Sequence, residues 1–201
     1  PSTRRRQRQM CIRDRMQINP SCFEGAAHPV ESVSWREALL FCNTLSEQQG
    51  YQPVYEQLDA PIPIWNEQAD GYRLPTEAEW EFMALSCTQS RFSGGHEADQ
   101  VAWFASNAQG RTHGVGLKQP NQLGLYDLSG NVWEWCSDWY HDDYFQIAES
   151  KNPQGPDYGT EKVVRGGSWF SNETFCNVSR RYKLKPDYRD TNFGFRCVKD
   201  L

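Results

Sequence analysis

Four residues in one short segment have the spacing of a calcium loop. Asp127, Gly130, Val132 and Glu134 lie within eight residues of one another. In an extended segment, every second residue points equivalent groups the same way. Two backbone carbonyls and the Glu134 carboxylate can therefore converge while Asp127 closes the ring, and such hard oxygen ligands suit Ca²⁺. The alternative is that Asp127 caps a turn and Glu134 pairs with an arginine.

Other metal and catalytic templates do not match. The four histidines (His28, His96, His113 and His141) are scattered, and none has the spacing of a zinc or facial-triad iron site. No Gly-rich phosphate loop and no G-x-S-x-G elbow occurs.

Two helices must position this chemistry. Ser34 and Glu37 fit a capping box, apolar residues follow at helical spacing, and Gly50 supplies a stop, which predicts a helix over 35–48 with Cys42 on its buried face. Thr76 and Glu79 form a second box. The inward stripe of that second helix is Trp80, Met83, Ala84 and Cys87.

After residue 90 the chain breaks into short apolar runs separated by turn residues. These runs read as short strands between long ordered loops, an α+β pattern. The expected strands lie within 101–104, 124–126, 132–135, 163–164 and 193–198, and 141–162 is the most loop-like stretch.

Composition indicates one packed domain. The chain has 201 residues, 38% hydrophobic and 13% aromatic, with eight Trp and a mean hydropathy of −0.79. No window of about 18 apolar residues occurs, so no membrane span is expected. No apolar region follows the N-terminal arginines, so no signal peptide is visible.

The charge is uneven along the chain. Residues 16–161 carry 6 basic and 21 acidic side chains, whereas residues 162–201 carry 9 basic and 4 acidic ones. We expect the basic C-terminal segment to pack across the acidic body. The alternatives are a cation-attracting body or a basic groove for an anionic partner.

The first fifteen residues look foreign. They hold six basic residues beside one acid, which would suit a nucleic-acid-binding arm. However, the string from Met10 to Arg15 resembles a translated sequencing adapter of the kind found fused to metagenomic reading frames. We therefore interpret 1–15 as non-native, expect no nucleic-acid partner, and assign the domain to 16–201. We expect a bacterial source.

Four ordered segments carry a family resemblance. The chain resembles the sulfatase-modifying-factor family, whose founding member is the formylglycine-generating enzyme. The resemblance implies a single α+β domain of low regular secondary structure, related to C-type lectin-like folds. It also implies N-terminal strands that would precede Asn19, so we expect this chain to be truncated at its N-terminal end. The segments are 30–35 (VESVSW), 71–81 (GYRLPTEAEWE), 124–135 (GLYDLSGNVWEW) and 165–169 (RGGSW) ending in 194–197 (GFRC).

The resemblance implies a copper site that this chain lacks in part. Catalytic members hold Cu(I) between two cysteines just after the Gly-Gly-Ser segment, since soft thiolates select Cu(I). Counting from Ser168, those positions are Ser171 and Cys176 here. A protonated serine hydroxyl cannot replace a thiolate, so copper is not expected. Ser168, Ser171 and Cys176 would be catalytic only if the chain were an enzyme.

The resemblance also implies the calcium positions above and a disulfide. Asp127, Gly130, Val132 and Glu134 match a family calcium site, and Cys42 and Cys197 match a structural pair. No partner is assigned to the other cysteines of the domain, which are Cys22, Cys87, Cys136 and Cys176. The cysteine count suits a reduced cytosolic protein or an exported one, and we expect the exported one.

Residues 168–192 have the composition of a binding surface, rigid aromatics beside adaptable polar groups. We expect a non-catalytic ligand-binding or accessory module that recognises a protein, peptide or glycan. The alternatives are an oxygen- and metal-dependent oxidase of formylglycine-generating type, acting on a cysteine thiol, and a variable binding protein of a diversity-generating retroelement. The candidate contact residues are Trp169, Phe170, Asn172, Phe175, Arg180, Tyr182, Tyr188 and Asn192.

Overall fold

The chain folds into a few short elements joined by long loops. A computed structural model describes residues 19–147 and 151–200. Residues 1–15, interpreted above as non-native, lie outside that part. In chain order the elements are α1 (Trp35–Gln48), β1 (Tyr55–Glu56), β2 (Ile64–Trp65), α2 (Glu77–Leu85), α3 (Ala98–Val101), β3 (Trp133–Trp139), α4 (Tyr144–Ile147), β4 (Lys162–Arg165), a 3₁₀ helix (Glu173–Cys176), β5 (Arg181–Leu184) and β6 (Phe193–Phe195).

Both predicted capping boxes are present. Ser34 and Glu37 bond reciprocally at the start of α1, which confirms the helix over 35–48. Thr76 caps α2 in the same way. That helix ends at Leu85 because Ser86 takes a left-handed φ of 45°. Cys87, predicted on the inward face, is consequently exposed, and that prediction was wrong.

The larger sheet has four strands in the order β5-β4-β3-β6. The strands β3, β4 and β5 pair antiparallel, whereas β6 runs parallel to β3. Every residue of β3 is buried, so this central strand is covered on both faces. A separate hairpin pairs β1 with β2.

Two predicted strands do not form. Residues 101–104 begin with the last residue of the short helix α3, and Trp103 makes only an isolated bridge to Gly130. Residues 124–126 follow a turn and have no regular structure, and Gly124 has a φ of +72°. The apolar run at 101–104 is buried all the same, since Val101 and Phe104 pack in a small core cluster with Cys176.

The main core lies between α1 and the sheet. Trp35, Leu39 and Cys42 of α1 pack against Trp133 and Trp135 of β3. Two indole N–H groups are satisfied across this boundary: Trp35 Nε1 donates to the Cys136 carbonyl at 2.9 Å, and Trp135 Nε1 donates to the Val33 carbonyl at 3.0 Å. The molecule is a single α+β domain with few regular elements, as the sequence predicts.

The basic C-terminal segment does pack across the acidic body. Arg165 and Arg181 both pair with buried Glu77 at 2.7 Å, and Arg196 pairs with Glu134 at 2.5 Å. These contacts confirm the intramolecular interpretation of the uneven charge. In the described part of the chain, no helix is long and apolar enough to cross a membrane.

Candidate functional site

The predicted catalytic positions lie together after β4. A left-handed turn at Gly166 and Gly167 carries the chain from β4 to Ser168. A Cβ on Gly167 would lie 2.7 Å from the Cys176 sulfur, so the close approach of these two segments requires glycine there. The structure thus brings Ser168, Ser171 and Cys176 to one place.

At the position where the family resemblance implies a first cysteine, Ser171 forms hydrogen bonds with Ser168. The Ser168 and Ser171 Oγ atoms lie 2.9 Å apart, and Ser171 Oγ also accepts the Ser168 N–H at 3.1 Å. Ser168 Oγ in turn accepts the Phe170 N–H at 3.3 Å. The hydroxyls therefore close a hydrogen-bonded turn.

The remaining thiol is poorly suited to bind a metal. Cys176 is fully buried among the aromatic and aliphatic side chains of a small core cluster, including Phe92 and Phe104. Burial raises the pKa of its thiol to about 12, although a hydrogen bond from the Ser168 backbone opposes the rise. Since the thiolate is the ligand that Cu(I) needs, these residues do not fit a copper ion.

The predicted calcium residues are engaged with other groups. The Glu134 carboxylate accepts from Arg196 Nε at 2.5 Å and Nη2 at 2.6 Å, and from Trp80 Nε1 at 2.7 Å. The Asp127 carboxylate accepts the Gly116 N–H at 2.7 Å, and burial raises its pKa. A cation at Glu134 would meet the Arg196 guanidinium.

The contacts of Asp127 and Glu134 favour the alternative interpretation, in which Asp127 caps a turn and Glu134 pairs with an arginine. As placed, these two carboxylates do not fit a calcium ion. Gly130 has a φ of +76°, and a Cβ there would meet the Trp103 carbonyl oxygen at 2.3 Å. Val132 is buried. Among the described residues, no group of three or more His, Cys, Asp and Glu side chains could hold a metal ion.

The predicted binding residues form two neighbouring patches. In the first, Tyr182 lies 5.6 Å from the Trp133 ring, Phe175 contacts the same ring, and Arg180 covers Phe175. Tyr188 belongs to this patch, since its ring packs on Phe193 with centroids 5.6 Å apart, and Phe193 pairs with Trp133 in the sheet. Tyr182 and Tyr188 are each about two-fifths exposed, 42% and 41%.

The second patch surrounds Trp169. Its ring contacts Phe170 and Phe23, and its Nε1 donates to the Thr191 carbonyl at 3.0 Å. Phe170 is 71% exposed. Asn192 follows Thr191, and its backbone carbonyl accepts the N–H of Trp133, which lies under the first patch. Asn172 is exposed and caps the 3₁₀ helix.

Not all predicted contact residues face solvent. Trp169, Phe175 and Asn192 are only partly exposed, and the Asn192 Oδ1 atom is buried with no hydrogen-bond partner in the described structure. These three residues support the surface, whereas Phe170, Asn172, Arg180, Tyr182 and Tyr188 present it.

The predicted cysteine pair is brought together. The Cys42 and Cys197 sulfurs lie 3.5 Å apart, and both thiols are unbonded. Cys42 is on α1 and Cys197 follows β6, so a bond would join the two ends of the domain. The disulfide itself stays a prediction.

A buried lysine beside β3 was absent from the sequence prediction. Lys162 Nζ lies 4.0 Å from the Trp35 ring and 3.7 Å from the Trp139 ring, and it donates to the Ser137 carbonyl at 2.7 Å. Burial lowers its pKa to about 7, and burial raises that of neighbouring Asp138 to about 7. The sequence signal that could have indicated this buried lysine is its position as the first residue of the apolar strand β4.

The chain matches one family model and several known proteins. The model of the sulfatase modifying factor enzyme 1-like domain matches residues 3–201. A chaperone protein LppX of Paenibacillus barcinonensis is 32% identical over 92% of this chain and 75% of its own length. A formylglycine-generating enzyme of Streptomyces coelicolor is 34% identical over 86% of this chain, which spans only 53% of that enzyme.

Among solved structures, Treponema denticola variable protein 1 superposes with a TM-score of 0.84 at 33% identity. That match covers 94% of this chain and 80% of the other.

Proposed function

We propose a ligand-binding rather than an oxidative role for this chain, which belongs to the sulfatase-modifying factor enzyme 1-like domain family. One observation carries the proposal: the hydroxyl of Ser171, which the family resemblance places at a copper-ligand position, is hydrogen-bonded to Ser168. A buried, protonated Cys176 cannot hold Cu(I) alone. Recognition then falls to the surface formed by the two aromatic patches.

The surface has the chemistry of a recognition site. Phe170, Tyr182 and Tyr188 offer rigid aromatic area, and Arg180 and Asn172 offer hydrogen bonds at its border. Exposed aromatic area of this kind contributes much of the energy of protein and glycan contacts at low entropic cost. We propose a protein, peptide or glycan as the ligand.

A copper titration tests the loss of oxidase chemistry. Under anaerobic conditions, the unmodified chain should fail to take Cu(I) from a competing chelator. The variant Ser171→Cys should gain one-to-one binding, because it supplies the second thiolate next to Cys176. Adding Cys176→Ser should abolish that gain. Tight binding by the unmodified chain would overturn the proposal and restore the oxidase alternative.

The binding surface is tested with variants on and off it. On a peptide library and a glycan array, Phe170→Ala and Tyr188→Ala should remove the hits of the unmodified chain. Tyr158→Ala is the matched control, since Tyr158 is 78% exposed but lies outside residues 168–192. Equal losses for all three variants would contradict a role for this surface.

The likeness to a variable protein of Treponema denticola favours one further candidate, that residues 168–192 are a diversified binding surface of a retroelement. The genomic neighbourhood tests it. A reverse transcriptase gene and a template repeat of this segment are expected nearby, and their absence would end this candidate without touching the ligand-binding proposal.

A further inference from the structure

A cluster of basic side chains lies beside the second patch. His28 Nδ1 is 2.9 Å from the Thr112 Oγ1 atom, and Arg111 and His113 flank Thr112. The Val115 N–H donates to the Ala27 carbonyl at 2.7 Å, which fixes the two loops against each other. Three basic side chains therefore share one small region on two bonded loops.

No carboxylate within the described ranges balances this cluster. The arginines 36, 73, 91, 165, 181, 189 and 196 each form an ion pair. Arg111 has none in the described part of the chain, and it is exposed. Burial lowers the pKa of His28, and the charges of Arg111 and His113 lower it further. The unpaired Arg111 guanidinium thus gives this region a positive charge on an acidic protein.

One member of the cluster, His113, is held rigidly. The His113 ring stacks on Trp103 with centroids 3.8 Å apart and planes 12° apart. His113 Nε2 must donate to the Ala108 carbonyl, 2.8 Å away, since that oxygen only accepts. Lys118 Nζ lies 4.0 Å from the same Trp103 ring. The His113 ring therefore loses little further freedom when an anion binds beside it.

One asparagine joins the cluster to the binding surface. The Asn131 side chain accepts the His113 N–H at 3.0 Å and donates to the His113 carbonyl at 3.1 Å. The Asn131 carbonyl accepts the Trp169 N–H at 2.8 Å. On the other loop, Phe23 contacts the Trp169 ring. A ligand lying over Trp169 and Phe170 can therefore extend to the basic cluster.

We infer that His28, Arg111 and His113 form an oxyanion subsite, which receives a carboxylate or phosphate group of the ligand. This inference rests on the proposed binding function and narrows its ligand to an acidic one. Arg111 supplies a planar donor pair suited to an oxyanion, and protonation of His28 adds a second charge once the anion is present.

A histidine titration by NMR tests the subsite, with inorganic phosphate and acetate as probes and chloride keeping the ionic strength constant. Phosphate should shift the His28 and His113 ring signals saturably. It should also raise the pKa of His28 by about one unit, because a nearby anion favours the charged imidazole. A larger effect of phosphate than of acetate indicates a phosphate ligand, and the reverse indicates a carboxylate.

Two matched variants locate the anion. Arg111→Gln should abolish the saturable shifts, whereas Lys151→Gln, which removes an exposed positive charge outside residues 168–192, should leave them unchanged. The inference is overturned if both probes act no differently from chloride, or if Arg111→Gln binds as before. Failure here leaves the copper titration and the aromatic variants untouched, so the two proposals fail separately.

Discussion

The buried carboxylate of Glu77 should be one of the most costly charges to remove from this domain. Glu77 is 2% exposed and accepts from Arg165 Nη1 at 2.7 Å and from Arg181 Nε and Nη2 at 2.7 and 2.8 Å. Arg165 is fully buried and also pairs with Glu81. Glu77→Gln keeps the shape but leaves two guanidinium groups short of a partner.

The expected loss follows from this burial. Breaking a buried pair on one side costs about 3–5 kcal/mol of the free energy of unfolding, because an uncompensated charge stays buried. That is a large share of the roughly 5–15 kcal/mol that stabilises a typical domain. Urea unfolding followed by tryptophan fluorescence measures it. The loss should persist in about 0.5 M salt, since buried pairs are screened little.

Glu173→Gln is the matched control. Glu173 pairs with Arg91 at 3.3 Å, but both side chains are more than two-fifths exposed, 42% and 45%. An exposed pair contributes about 0–1 kcal/mol. If Glu77→Gln costs no more than Glu173→Gln, the network does not stabilise the fold as argued.

Three further predictions follow from the buried groups. Burial raises the pKa of Asp138 to about 7, so the contribution of Asp138 to stability falls as pH rises from 4 toward 7. Burial lowers the pKa of Lys162 to about 7, so the contribution of Lys162 to stability falls as pH drops from 10 toward 7. The unfolding free energy should therefore dip near neutral pH. EDTA should leave the melting temperature unchanged, because Arg196 already neutralises Glu134. Oxidation should join Cys42 to Cys197, which are 155 residues apart, and add about 3–5 kcal/mol.

Each of these has its own control. Asp138→Asn should flatten the acidic limb of the stability profile and move the alkaline limb to lower pH, because the Asp138 charge raises the pKa of Lys162. An unaltered acidic limb would contradict the assignment. A fall in melting temperature with EDTA that calcium reverses would restore the calcium site. The mass of the oxidised chain should drop by two hydrogens in the unmodified protein and not in Cys197→Ser.

Local signals predicted the two capped helices, α1 and α2, but not the short helices α3 and α4. Each capping box joins residues only three positions apart, so both partners can be recognised in one short stretch of sequence. The boxes are Ser34 with Glu37 and Thr76 with Glu79. By contrast, Arg165 and Glu77 are 88 residues apart, and only the folded chain brings them together.

Strand prediction failed where pairing or burial decides the structure. β5 (Arg181–Leu184) carries little apolar pattern and is a strand because it pairs with β4. The apolar run at 101–104 is buried in a loop without joining a sheet. At the candidate site, the family resemblance indicated where Ser171 and Cys176 lie, but the bond between Ser171 and Ser168 required the structure.

The parallel pairing of β6 with the central strand has a consequence for biosynthesis. Phe193–Phe195 lies beside β3, and Phe193 supports the Tyr188 ring. A ribosome-bound chain that has not yet released these residues lacks both an edge of the sheet and the support of its aromatic surface. The sheet around the aromatic surface therefore cannot be completed before Phe193–Phe195 has left the ribosome, even though β3 has emerged earlier.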